Sequence, residues 1–182
     1  MALKILSALR RANRIVAIMI GLMLLLCAGV VLIDIVSRKL GSSFGGTDEI
    51  SGYVMAVASA WGMGFAMLEL AHVRIDFLRS QANRIGRSIL DLFAMLVLSA
   101  TITVIALRCW PVVEISLANS SRANTPLETP LAIVQIPWFA GWLWFAAMAW
   151  LTFAAALALV LQGRFEDSET AIGAFAEQEA AL

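Results

Sequence analysis

Uncharged, apolar stretches long enough to cross a bilayer recur four times along the chain. About 20 helical residues cross the roughly 30 Å of hydrocarbon. Ile15–Ile33 and Ile50–Leu68 each run 19 residues without a charge. Leu92–Leu107 adds 16, and reaches Trp110 if Arg108 snorkels back to the interface. Leu131–Gly163 is a run of 33 residues. As a single helix it would be about 50 Å long, too long for a simple crossing. Pro126, Pro130 and Pro137 read as turns or interfacial backbone at its start. The pattern therefore predicts an all-α membrane protein with four transmembrane helices, over about 15–36, 48–70, 86–110 and 137–161. The first span is longer than a signal core, and Asp34, Ser37, Arg38 and Lys39 follow it without a cleavage site, so it is expected to stay as an anchor.

Outside the spans, residues 1–14 form a separate pattern. Ala2, Ile5, Leu6 and Leu9 fall on one side of a helix, and Lys4, Ser7, Arg11 and Arg14 on another. This predicts a short amphipathic interfacial helix on an anionic membrane surface, with a plain basic tail as the alternative. Residues 164–182 hold five acids after Arg164 and read as a solvated acidic cytoplasmic tail, with a short helix as the alternative. Basic residues set the orientation. Nine lie on one side (Lys4, Arg10, Arg11, Arg14, Arg74, Arg79, Arg84, Arg87 and Arg164), against Arg38, Lys39, Arg108 and Arg122 on the other. Both termini and the 69–91 loop are thus expected in the cytoplasm.

Composition agrees: 61% of the residues are apolar and 14% charged, more apolar surface than a soluble fold of 182 residues could hide. Thirteen basic and thirteen acidic residues leave no excess for nucleic acid. Cys27 and Cys109 lie in or beside apolar runs and read as small hydrophobes, not as a redox pair. A single histidine, His72, cannot supply a bis-histidine haem site. No cofactor is expected.

The placement of charge bears on mechanism. No ionisable residue falls near the middle of a span, whereas ion-coupled carriers place carboxylates or broken helices there. Asp34, Glu49, Glu69, Asp91 and Arg108 stand at span ends, within reach of an interface. The midplane hydroxyls Ser59, Ser99, Thr101 and Thr103 are expected to bond carbonyls of their own helices. In span 2, Gly52, Ala56, Ala60 and Gly64 recur every four residues, a face on which a second helix can approach closely, from this chain or a partner. Trp110, Trp138, Trp142 and Trp144 read as an interfacial belt, with cover for a partner subunit as the alternative.

Phosphate loops, HExxH, CxxC and GxSxG motifs are all lacking. Thr47, Asp48 and Glu49 read as the cap of span 2. His72-Val73-Arg74-Ile75-Asp76 reads as a solvated helix end or as an interfacial charge cluster that holds a partner. No enzymatic role is expected.

The order of these features resembles the small membrane subunit of tripartite ATP-independent periplasmic (TRAP) transporters, the DctQ family. The resemblance rests on Thr47-Asp48-Glu49 opening span 2, Trp61-Gly62-Met63-Gly64 within it and His72 through Leu78 after it. Thr125-Pro126-Leu127 and Ile136-Pro137-Trp138 with Gly141 form a second match. Gly46 and Thr47, and Glu69 and Ala71, depart from the family pattern. The resemblance implies a sodium-coupled transporter of organic acids in the bacterial inner membrane. Its partners would be a large TRAP membrane subunit that moves the solute, a periplasmic substrate-binding protein that docks, and membrane lipids. Asp48, Glu49, His72, Arg74 and Asp76 occupy the matching motif positions and, with Gly52, Ala56, Ala60 and Gly64, are partner or structural candidates. The alternatives are a stand-alone oligomeric transporter or channel, and a membrane anchor of another complex.

Overall fold

A computed structural model describes residues 2–42, 45–72 and 77–173. The described residues form six helices: α1 (Ala2–Lys39), α2 (Thr47–Leu68), α3 (Phe77–Gln81), α4 (Arg84–Ala118), α5 (Leu131–Leu161) and α6 (Phe165–Ile172). Four of them (α1, α2, α4 and α5) are long and apolar enough to cross a membrane. The described residues contain no strand, only an isolated bridge between Arg122 and Pro130 that closes the α4–α5 loop.

The helices outrun the predicted spans. At 1.5 Å per residue, α1 is about 57 Å long, α4 about 52 Å and α5 about 46 Å. Only α2, at about 33 Å, matches the hydrocarbon thickness. The segment expected as a separate interfacial helix is instead the first turns of α1. Its buried stripe is Ala2, Leu6, Leu9, Asn13 and Val16, whereas Ile5 faces outward. Turns of the helix spaced three and four residues apart put these five on one side, against protein. The prolines do not start α5 where expected. Pro130 precedes it, and Pro137 sits in its seventh position. There the missing N–H frees only the carbonyl of Ile133, and the helix runs on, as apolar spans allow. Pro111 is likewise inside α4.

Local signals explain the ends. Asn83 caps α4, its side chain accepting from the Gly86 amide at 2.8 Å. Arg38 and Lys39 close α1, where cations suit the helix dipole, and Asp48 and Glu49 open α2, where anions do. Gly163, at φ 72°, ends α5 in the left-handed conformation, and the Arg164 amide reaches back to the Leu159 carbonyl at 2.9 Å.

The four long helices form a row in which α5 is central. It packs on α4, on α2 and on the first half of α1, whereas α2 lies between α1 and α5. The core follows α5: Phe145, Ala149, Ala156 and Leu159 are all at most 2% exposed and meet Met95 and Ile102 of α4. At the end that holds the N-terminus, α6 docks Ala171 and Ile172 into the same core. The outer helix α1 is the opposite case, with only 6% of its most apolar stretch buried inside the chain.

Candidate functional site

The small-residue face of α2 divides in two. Ala60 and Gly64 are buried against α5 and α1, whereas Gly52 and Ala56 are exposed, and a Cβ on Gly52 would meet nothing within 4 Å. The closest approach is at Gly141 of α5, where a Cβ would lie 2.7 Å from the Trp61 ring and 2.8 Å from Ala60. That lack of a side chain lets Trp61 Nε1 donate to the Pro137 carbonyl at 2.8 Å. Trp61 also stacks on Trp144, centroids 5.9 Å apart, and Trp144 Nε1 donates to Asn13 Oδ1 at 3.1 Å. Asn13, fully buried, gives its own amide to the Leu9 carbonyl at 3.2 Å. Thus Trp144, expected in an interfacial belt, ties α1, α2 and α5 together. Asn13 escaped the sequence reading, although it falls on the stripe of Leu6, Leu9 and Val16.

The four midplane hydroxyls are committed locally. Ser59, Ser99, Thr101 and Thr103 each donate to the carbonyl four residues earlier at 2.8 Å, as predicted. Trp150 donates to Thr103 Oγ1 at 2.9 Å and so bonds α5 to α4.

Two carboxylates expected to reach water are instead buried with partners from this chain. Asp34, 1% exposed, accepts from Arg38 Nε and from Thr47 Oγ1, both at 2.7 Å. Thr47 therefore does not cap α2: Gly46 stands at the cap, and the Thr47 hydroxyl joins α1 to α2. Asp48 remains outside, its side chain 94% exposed, 3.9 Å from Arg38. Glu49 accepts from Tyr53 Oη at 2.7 Å. Gly46, at φ 78°, lies under Leu127, so the α4–α5 loop rests on the start of α2. Removing the Asp34 carboxylate leaves a buried hydroxyl and a guanidinium short of their acceptor. Asp34→Ala is expected to cost about 2 kcal/mol, read as a lower thermal midpoint in detergent, while Arg122→Gln leaves the midpoint unchanged.

At the other end, Arg79 of α3 is 5% exposed and donates to Asp91 of α4 at 3.0 Å and to Glu169 of α6. Burial alone would lower the pKa of its guanidinium, but the hydrogen bond and charge of Asp91, with Glu169 adding, outweigh it and raise the pKa above the ordinary value. With Asp91 and Glu169 ionised, the contribution of Arg79 is therefore complete below the ordinary arginine range and fades as pH climbs past it. Arg84 pairs with Glu166 at 2.7 Å, and Arg87 lies 4.0 Å from Glu169. The start of the acidic tail is thus docked rather than solvated: Glu166 and Glu169 face arginines of α4 and α3, and Ala171 and Ile172 are buried. His72 follows α2, half-buried, its ring 6.5 Å from that of Phe145. Arg74 and Asp76 lie outside the described residues.

Such an arrangement holds helices together. Residues 27–162 match the family described as tripartite ATP-independent periplasmic transporters, DctQ component. The chain belongs to the DctQ family. It is the small membrane component of a TRAP transporter, and DctQ is a transporter family, not an enzyme family. DctQ components work with a large membrane component and a substrate-binding protein. No curated protein and no solved structure matches the chain. In this DctQ chain, the predicted residues fall at three places. Ala60 and Gly64 pack inside, Asp48 and Glu49 stand at the α2 start, and His72 lies at its far end. Sequence reasoning missed the Arg79–Asp91–Glu169 cluster. Its members are 12 and 90 residues from Arg79 and share no motif.

Proposed function

We propose that this chain is the scaffold permease subunit of a sodium-coupled TRAP transporter for organic acids in the bacterial inner membrane. It packs against the large transport subunit and helps dock the periplasmic substrate-binding protein. The observation that carries the reading is the exposure of α1. Its most apolar stretch is 6% buried within the chain, while the polar groups named above bond within the chain. A helix so exposed is covered by lipid or by another protein. Sodium coupling and organic-acid cargo follow the family resemblance and belong to the large subunit. The nine-to-four distribution of basic residues supports an orientation with both termini in the cytoplasm and the Asp48 end in the periplasm, where the exposed carboxylate can meet a docking protein.

Gly52 and Ala56, the open half of the small-residue face, are the contact offered to a helix of the large subunit. Leucine at both positions enters open space on this chain. Gly52→Leu/Ala56→Leu should leave its thermal midpoint unchanged and reduce recovery of the large subunit with a tagged chain roughly tenfold, a loss of about 1.4 kcal/mol. Recovery of the tagged wild-type chain from native membranes as a homo-oligomer, without a large permease, would refute the reading.

A further inference from the structure

A cleft of about 590 Å³ opens at the N-terminal end of the molecule, between the first turns of α1, the end of α2 and α6. That volume is in the range of small-ligand sites. One stripe of α1 faces it: Ser7, Arg10, Arg11 and Arg14, spaced three and four residues apart. Behind them the wall is apolar, formed by Leu6, Leu68 and Ala171. Arg10 is fixed, donating to the Thr170 carbonyl of α6 at 3.2 Å. Arg11 and Arg14 are exposed and have no ion-pair partner among the described residues. Two carboxylates share the cleft. Asp167 is already bound to Arg164 at 2.7 Å, which leaves Glu69 as the opposing charge. The cleft therefore has a positive balance.

Depth is set by the sequence. Arg14 immediately precedes the uncharged run of α1, and Glu69 immediately follows that of α2. Two helices that pass from uncharged to charged at one place put the cleft at the headgroup level of a bilayer. The geometry points to a binding site for an anionic phospholipid headgroup, its phosphate held by Arg11 and Arg14 and its glycerol end against the apolar wall. Guanidinium groups suit this task because they meet phosphate oxygens with paired N–H donors. The N-terminal turns of α1 would then not float on a charged surface but close around one lipid. This goes beyond the scaffold role and does not depend on which cargo the transporter carries.

The test is lipid binding to the purified full chain in detergent, followed by native mass spectrometry with dioleoyl-phosphatidylglycerol and with dioleoyl-phosphatidylcholine. The chain is expected to retain phosphatidylglycerol and not phosphatidylcholine. Arg11→Gln/Arg14→Gln should weaken retention roughly twenty-five-fold, since each base near an anionic headgroup contributes a factor of about five. Glu69→Gln should strengthen it about fivefold by removing the opposing charge. Lys39→Gln/Arg122→Gln, which removes two exposed bases at the opposite end, should change nothing. A circular-dichroism spectrum equal to that of the wild type verifies that the Arg11→Gln/Arg14→Gln variant is folded. Inorganic phosphate should fail to displace the lipid; displacement at comparable concentration would assign the cleft to soluble phosphate and overturn the lipid assignment. Equal retention of the two lipids, or a double variant that binds like the wild type, would overturn the site.

Discussion

Arg79→Ala is expected to destabilise the chain by about 3 kcal/mol, because it leaves Asp91 buried beside an empty guanidinium position. The Asp91 side chain is 4% exposed and loses its 3.0 Å partner. Glu169, 31% exposed, can turn toward water or toward Arg87 and suffers less. The loss should appear as a fall of roughly 10 °C in thermal midpoint. It should also release α6, whose hold on α3 runs through Arg79, and expose residues 165–172 to protease. Arg79→Met/Asp91→Leu removes both buried charges, and a well-packed apolar pair commonly restores stability. Recovery of most of the midpoint in the double variant would show that the single variant fails through an uncompensated charge. Equal loss in both would show that packing at Arg79, not charge, holds this end.

Gly141→Leu should be as damaging for a different reason. Already the first added carbon would stand 2.7 Å from the Trp61 ring and 2.8 Å from the Ala60 methyl. The α2–α5 contact must then open, and with it go the Trp61 bond to the Pro137 carbonyl and the stacking of Trp61 on Trp144. Overpacking of this kind costs about 3 kcal/mol. Gly141→Ala should cost roughly half as much, and Gly52→Leu nothing, since Gly52 is exposed and a Cβ there meets nothing within 4 Å. Tryptophan fluorescence offers a second readout, because Trp61 and Trp144 leave their partners when the helices part. A wild-type midpoint in Gly141→Leu would show that α2 and α5 do not touch as described.

What the sequence made legible were the features that follow from the bilayer as a solvent. Uncharged runs had to be helices, and four of them are. The hydroxyls Ser59, Ser99, Thr101 and Thr103 had their own helix carbonyls within reach, and each donates to one. The family signature was readable as well, since Thr47-Asp48-Glu49 and His72 keep their spacing around α2. The illegible parts depend on which helix lies beside which. Asp34 and Asp91 stand at the ends of apolar runs, and nothing in the run shows that Thr47 or Arg79 will close over them. Amphipathicity in residues 2–14 was visible, but the same pattern describes a helix on lipid and one on protein. The α1 stripe of Leu6, Leu9 and Asn13 went to protein because α5 extends far enough to meet it. Proline misled for a related reason. Pro137 would break a helix in water, whereas in an apolar span no solvent competes for the backbone bonds on either side of it.

Solute flux into proteoliposomes tests the scaffold assignment most directly. Vesicles that carry this chain alone should show background uptake of organic acids with or without a sodium gradient. Vesicles that also carry the large membrane subunit, with the substrate-binding protein outside, should show sodium-driven uptake. Sodium-driven uptake by this chain alone would contradict the account, because cargo would then have to pass through helices that carry no ionisable residue near mid-span.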